Sequence, residues 1–190
     1  MNCLIALLFC LSLNAGTYTI GDSHVGSCYI GTPVYVSGST FRELKAGLEG
    51  KKSRFTPAKL GRIVNPDTIL LAFGTNDAGM LRYYKRSEFI SGVNWVIHNL
   101  RSKYPTAKIV LVGPPGSHRS LRVNEIDGIL SILAKEEGIR YIERISITPY
   151  DQLRSDGVHF TLRGYGETHL FPITVLIGWW SLDSFYWDVA

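Results

Sequence analysis

Cysteine is scarce in this chain. Three occur among 190 residues, and two of them, Cys3 and Cys10, lie in one apolar run. If that run is cleaved off, Cys28 alone remains, so no internal disulfide framework can form. No cysteine pair has the spacing of a zinc site either. Charge is also sparse, at 19% of residues against 45% hydrophobic, which excludes a disordered chain and suits one domain with a sizeable core. The net charge of +4 is mild, and no aromatic-interleaved basic motif accompanies it, so no nucleic-acid partner is expected. There is no G-x-S-x-G, which excludes the nucleophile elbow of the α/β-hydrolases. GLEGKKS at 47–53 misses the phosphate-loop spacing, and GYGETH at 164–169 is half a dinucleotide fingerprint in the wrong context. No cofactor and no metal are expected, and nothing in the sequence sets an oligomeric state.

What is present is unevenly spread. CLIALLFCLSL at 3–13 is too short to span a bilayer as a relaxed helix but has the length of a signal-peptide core. Ala15 and Gly16 supply small residues after it, so residues 1–16 read as a cleaved segment and the protein as secreted or extracytoplasmic. Met1-Asn2 carries no positive charge, and a buried N-terminal element in a cytoplasmic protein is the other reading. Between Arg42 and Arg62 stand seven Lys or Arg against Glu43 and Glu49. This stretch reads as a solvated helix and loop, with a surface for an anionic polymer or membrane as the alternative. After His169 the chain turns apolar and aromatic, with Phe171, Trp179, Trp180, Phe185, Tyr186 and Trp187. That segment reads as a packed final helix and tail of a single domain over 17–190, with a sugar-stacking or partner-binding patch as the alternative.

Strand and helix patterns alternate. Thr17–Ile20 and Thr32–Val36 read as strands, Thr40 to Glu49 as a helix capped by Ser39 or Thr40, and Asp67–Phe73 as a strand buried on both faces. Ser87 to Lys103 follows as a helix with Ser87 as its cap, then strand Lys108–Val112, helix Leu121–Glu137 stopped by Gly138, and strand material at Ile139–Ile142 and Ile145–Ile147. This order implies an α/β fold, a parallel sheet of about five strands with helices on both faces. Ligands then bind beyond the carboxyl ends of the strands. GDSH follows the first strand, SGST the second, GTND the third and GPPGSH the fourth, so all four polar loops share that edge.

A serine nucleophile needs a base, a carboxylate to orient it, and donors for the oxyanion. Ser23 in GDSH is the candidate nucleophile. SDGVHF at 155–160 offers His159 as base and Asp156 as its orienting acid. Donors are available in the Ser23 N–H, the Gly38 N–H and the Asn76 amide. Gly31 is the other candidate for the second donor. His24 and His118 are candidate substrate contacts, His24 with an equal prospect of filling its turn. Asp22 reads as a brace for that turn, and His98 as a structural helix residue.

GDSH at 21–24, SG at 37–38, GTND at 74–77 and DGVH at 156–159 together make the chain resemble the SGNH (GDSL-type) hydrolases over residues 17 to about 170. The resemblance implies a flavodoxin-like three-layer α/β/α sandwich and no metal. It implies Ser23, Asp156 and His159 as the triad, with Ser23, Gly38 and Asn76 as oxyanion donors. His24 stands where many members carry leucine. The expected activity is cleavage of a small acyl ester, O-acetyl on a glycan first, by an acyl-enzyme. A lipase, lysophospholipase or thioesterase is the alternative within the family. A non-catalytic carbohydrate- or partner-binding module on the same fold is the alternative outside enzymes.

Overall fold

The computed structural model describes residues 16–26, 31–83, 85–114 and 121–143. The chain divides into two compact units, Met1–Ile147 and Thr148–Ala190, and every described residue belongs to the first. Cys28, His118, Asp156, His159, the run at 3–13 and the aromatic C-terminal segment lie outside the described residues.

Five strands form one parallel sheet: β1 Thr17–Gly21, β2 Thr32–Tyr35, β3 Thr68–Ala72, β4 Lys108–Val112 and β5 Arg140–Ile142, in the order β2-β1-β3-β4-β5. The register aligns Val34, Ile20, Leu71, Leu111 and Tyr141 in one row across all five strands. Ile69, Leu70 and Leu71 are buried in succession, as an apolar run in a central strand requires. The main core takes alternate strand residues only, among them Ile20, Ile69, Leu71, Ile109 and Leu111. Leu70 and Val110 point to the other face and are buried there as well, together with Thr19. The sheet is thus covered on both sides, as in a three-layer α/β/α sandwich.

Helix α1 (Phe41–Leu48) is capped by Thr40, whose hydroxyl accepts from the Glu43 N–H at 3.3 Å. A short α2 (Pro57–Leu60) begins with Thr56 as cap and proline in its first turn. Helix α3 spans Thr75–Met80, α4 Arg86–Lys103 and α5 Leu121–Glu136. On α4, Val93, Ile97 and Leu100 recur at helical spacing and are buried with Phe89 and Val96, which marks the packed face. Ser87 is not its cap. The cap position is Lys85, which makes no side-chain bond, and Ser87 lies one residue inside the helix. Ile126, Ile129, Leu130 and Leu133 of α5 recur at helical spacing and are buried, and Gly138 follows with φ 60°.

The basic stretch is a solvated face laced by ion pairs. Glu49 is paired with Lys45 and Lys51, and Glu43 with Arg54. The hydrogen bonds from Lys45, then Lys51, hold the Glu49 carboxyl below its ordinary pKa. Lys45 also lies 4.8 Å from the centre of the Trp95 ring. His98 is a surface residue, with Nε2 at 3.1 Å from Glu137.

Candidate active site

Strand order reverses direction between β1 and β3. The chain leaves β1 toward β2 on one side and returns to β3 on the other. A crevice opens at such a switch point, beyond the carboxyl ends of the strands. Three loops meet there: 22–26 after β1, 36–40 after β2, and 73–77 after β3.

The first loop is built around Asp22. Gly21 must be glycine, because a Cβ there would stand 2.2 Å from the Ala72 carbonyl oxygen and 2.3 Å from Val25. The Asp22 carbonyl accepts from the Val25 N–H at 3.2 Å, closing a turn, and its Oδ1 accepts from the His24 N–H at 3.0 Å. This Asx-type brace puts Ser23 at the corner of the turn. Asp22 is buried and Ser23 half-buried. The expectation that Asp22 braces the turn agrees with this geometry. His24 is buried, with 7% of its surface exposed, which favours turn filler over substrate contact.

The second loop is tied to the first by Ser39. Its hydroxyl donates to the Gly21 carbonyl at 3.3 Å, its own N–H donates to Val36, and the residue is fully buried. Gly38 has φ 69° and is exposed. A Cβ on Gly38 would meet only Arg54, at 3.9 Å, so conformation rather than space calls for glycine there. Gly31 precedes β2 at the opposite edge of the sheet, where a Cβ would press on the first residue of β1, Thr17, at 2.2 Å from its carbonyl oxygen. That position cannot face Ser23, so of the two glycines only Gly38 sits on the edge of the site.

The third loop is the start of a helix, whereas the sequence reads it as a loop. Gly74 takes φ 129°, and a Cβ there would be 2.8 Å from Ile126. This turn sets Asn76 in the first turn of α3. Its side-chain Nδ2 donates to Asp22 Oδ2 and to the Ser39 carbonyl, both at 3.2 Å. One amide therefore links all three loops. Asp77, fully buried, accepts the Phe41 N–H on both oxygens, at 3.2 and 3.3 Å. It caps the start of α1 across 36 residues of sequence, a place where negative charge is favoured.

Ser23, Gly38 and Asn76 are thus gathered at one edge. Asp156, His159 and His118 lie outside the described residues. Ser39, Asp77 and Arg54 have roles that sequence reasoning missed. Each bonds at least one residue 16 or more positions away, so no local spacing announces them. Among the described residues no three His, Cys, Asp or Glu side chains come together as metal ligands, and no helix is long and apolar enough to cross a membrane.

No family model and no curated protein sequence matches the chain. Solved structures do. A G-D-S-L family protein from Desulfitobacterium hafniense superposes with a TM-score of 0.64 at 14% identity, over 84% of this chain and 98% of its own. The esterase EstA from Pseudoalteromonas gives 0.65 at 12%, over 87% and 99%. An acetylxylan esterase from Geobacillus stearothermophilus, in a catalytic-mutant form, gives 0.60 at 14%, over 92% and 96%. The likeness is one of fold: a five-stranded parallel α/β/α sandwich shared with esterases.

Proposed function

We propose that the protein is a serine esterase that cleaves a carboxylic ester through an acyl-enzyme. Ser23 attacks the ester carbonyl carbon while His159 takes its hydroxyl proton, and Asp156 orients the imidazole. The oxyanion is held by the Ser23 N–H, the Gly38 N–H and the Asn76 amide, which gives up one of its two bonds, to Asp22 or to the Ser39 carbonyl, in order to donate. Collapse expels the alcohol with the proton from His159. Water then repeats the sequence and releases the acid. The single observation that carries this reading is Ser23 at the corner of a side-chain-braced turn at the switch point, with the Asn76 amide bonded to that brace. A small acyl group, acetyl on a carbohydrate, is the favoured substrate. Esterase neighbours, one of them an acetylxylan esterase, support it.

Turnover of p-nitrophenyl esters of increasing chain length, beside acetylated polysaccharides, tests the reading. Acetyl preference supports it. A preference for long chains favours a lipase or thioesterase. Equal rates for wild type and Ser23→Ala leave a binding module. Export is proposed with it. Of the two starts the sequence offers, Gly16 and Thr17, the first keeps the Gly16 carbonyl, which accepts from the Asp67 and Thr68 N–H groups at 2.8 and 3.2 Å. Sequencing of protein from its native host should find Gly16 first. An intact Met1 on intracellular protein contradicts export.

A further inference from the structure

The loop that carries Gly38 is fastened from outside the site. The Arg54 guanidinium donates from Nη1 to the Ser37 carbonyl at 2.8 Å and from Nη2 to the Gly38 carbonyl at 3.1 Å. The same group donates from Nε to Glu43 Oε1 at 2.6 Å and from Nη2 to Glu43 Oε2 at 2.5 Å. Glu43 lies in the first turn of α1, and its carbonyl accepts the Ser53 hydroxyl at 2.7 Å. Helix α1, the segment at 53–54 and the loop at 37–38 are therefore one fastened unit.

Exposed ion pairs add little to stability, and the Arg54 side chain is 54% exposed. What the planar fork does supply is direction. No cis peptide occurs among the described residues, so the Ser37–Gly38 peptide is trans and planar. Its carbonyl points at Arg54, and its N–H, the Gly38 donor, must point the opposite way. Among the described residues that N–H meets no acceptor. Arg54 thus holds it in place.

We propose that Arg54 is a positioning residue for ester hydrolysis, fixing the 37–38 peptide plane so that the Gly38 N–H is presented to the oxyanion. This rests on the serine-esterase reading above. Arginine touches no reacting atom and acts only through Gly38. A lysine would keep the charge but lose the two-pronged grip.

The test compares wild type, Arg54→Ala, Arg54→Lys, Gly38→Ala and the Arg54→Ala/Gly38→Ala double variant, by kcat, KM and Tm with p-nitrophenyl acetate. Since a misplacement of ~1 Å can cost about 100-fold, Arg54→Ala should lower kcat about 10–100-fold with KM within about twofold. Arg54→Lys should rescue little of it. The double variant should be no slower than Gly38→Ala alone, because both changes act by displacing the same donor. Active wild type with Arg54→Ala or Arg54→Lys at near-normal kcat per folded molecule overturns the proposal, whatever happens to Tm. Full multiplication of the two losses in the double variant also overturns it. Wild type without turnover overturns the esterase reading, and this proposal with it.

Discussion

The two edges of the sheet are held in different ways. At the amino edge the strands are fastened by backbone. The Gly16 carbonyl takes two N–H groups, the Asp67 carbonyl takes the Lys108 N–H at 2.9 Å, and the Tyr18 hydroxyl is bonded to the backbone of Val64 at 3.1 and 3.2 Å. Asp67 and Val64 there are exposed. At the carboxyl edge side chains do the fastening. Asp22, Ser39 and Asp77 are all buried there, each with 2% or less of its surface exposed. Burying such groups is unfavourable unless each finds a partner. The interlocked set satisfies that demand only if the loops adopt one arrangement. A fold that needed only to close its loops could do so more simply with backbone bonds such as those of the Gly16 and Asp67 carbonyls at the other edge. The buried polar lattice instead fixes Ser23, Gly38 and Asn76 relative to one another, which is what an oxyanion site requires.

The largest effect that separates the edges should come from Asn76. Loss of an oxyanion donor costs about 10²–10³-fold in kcat with KM little changed. Because the same amide holds Asp22 and Ser39, Asn76→Ala should also lower stability by about 1–3 kcal/mol. Asn76→Asp should be worse on both counts, since its carboxylate would face the Asp22 carboxylate and the Ser39 carbonyl. A lowered Tm with near-normal kcat would remove Asn76 from the site and leave it a structural link.

A matched pair of glycines sharpens the comparison. Gly31 and Gly38 have nearly the same φ, 74° and 69°. Gly31→Ala adds a clash with Thr17 to the left-handed strain and should cost about 2–4 kcal/mol of stability, with kcat per folded molecule unchanged. Gly38→Ala has open space for its methyl, so stability should fall by only about 1–2 kcal/mol while kcat drops about tenfold or more. If the two variants affect kcat alike, the distinction between edges fails.

These contrasts bear on how much the sequence reveals. The central strands β3 and β4 were legible because each carries three buried apolar residues in succession, Ile69, Leu70 and Leu71 in the first and Ile109, Val110 and Leu111 in the second. Helices α1, α4 and α5 were legible from apolar spacing and, for α1, from Thr40. The carboxyl-edge loops were legible as a set, through GDSH, SG and GTND. Their lattice was not. The bonds from Asn76 to Asp22 and from Phe41 to Asp77 join residues 54 and 36 positions apart. Arg54 sits in a basic stretch whose other members are ordinary surface charges, so composition hides it. The Ser87 cap failed because the chain is already helical at Arg86, which leaves a serine hydroxyl one turn-position too late to cap.

The smallest expected effect lies on the α1 surface, away from both edges. Glu49 has its pKa held below the ordinary 4.5 by Lys45 and Lys51. A depressed carboxyl contributes stability above its unfolded pKa and loses it as pH falls through the folded one. The Tm difference between wild type and Glu49→Gln should therefore be small and positive at neutral pH and shrink below about pH 4.5. A pH-independent difference contradicts the pairing. Activity per folded molecule should be the same in both proteins.

The central claim, that the carboxyl edge presents Ser23 as a nucleophile, is tested most directly by covalent labelling. The folded protein is treated with a fluorophosphonate and the modified residue found by peptide mass spectrometry. The account predicts one adduct per chain, on Ser23, lost in Ser23→Ala and formed more slowly in Asn76→Ala. No adduct on the folded wild-type protein, or an adduct on another serine, would contradict it.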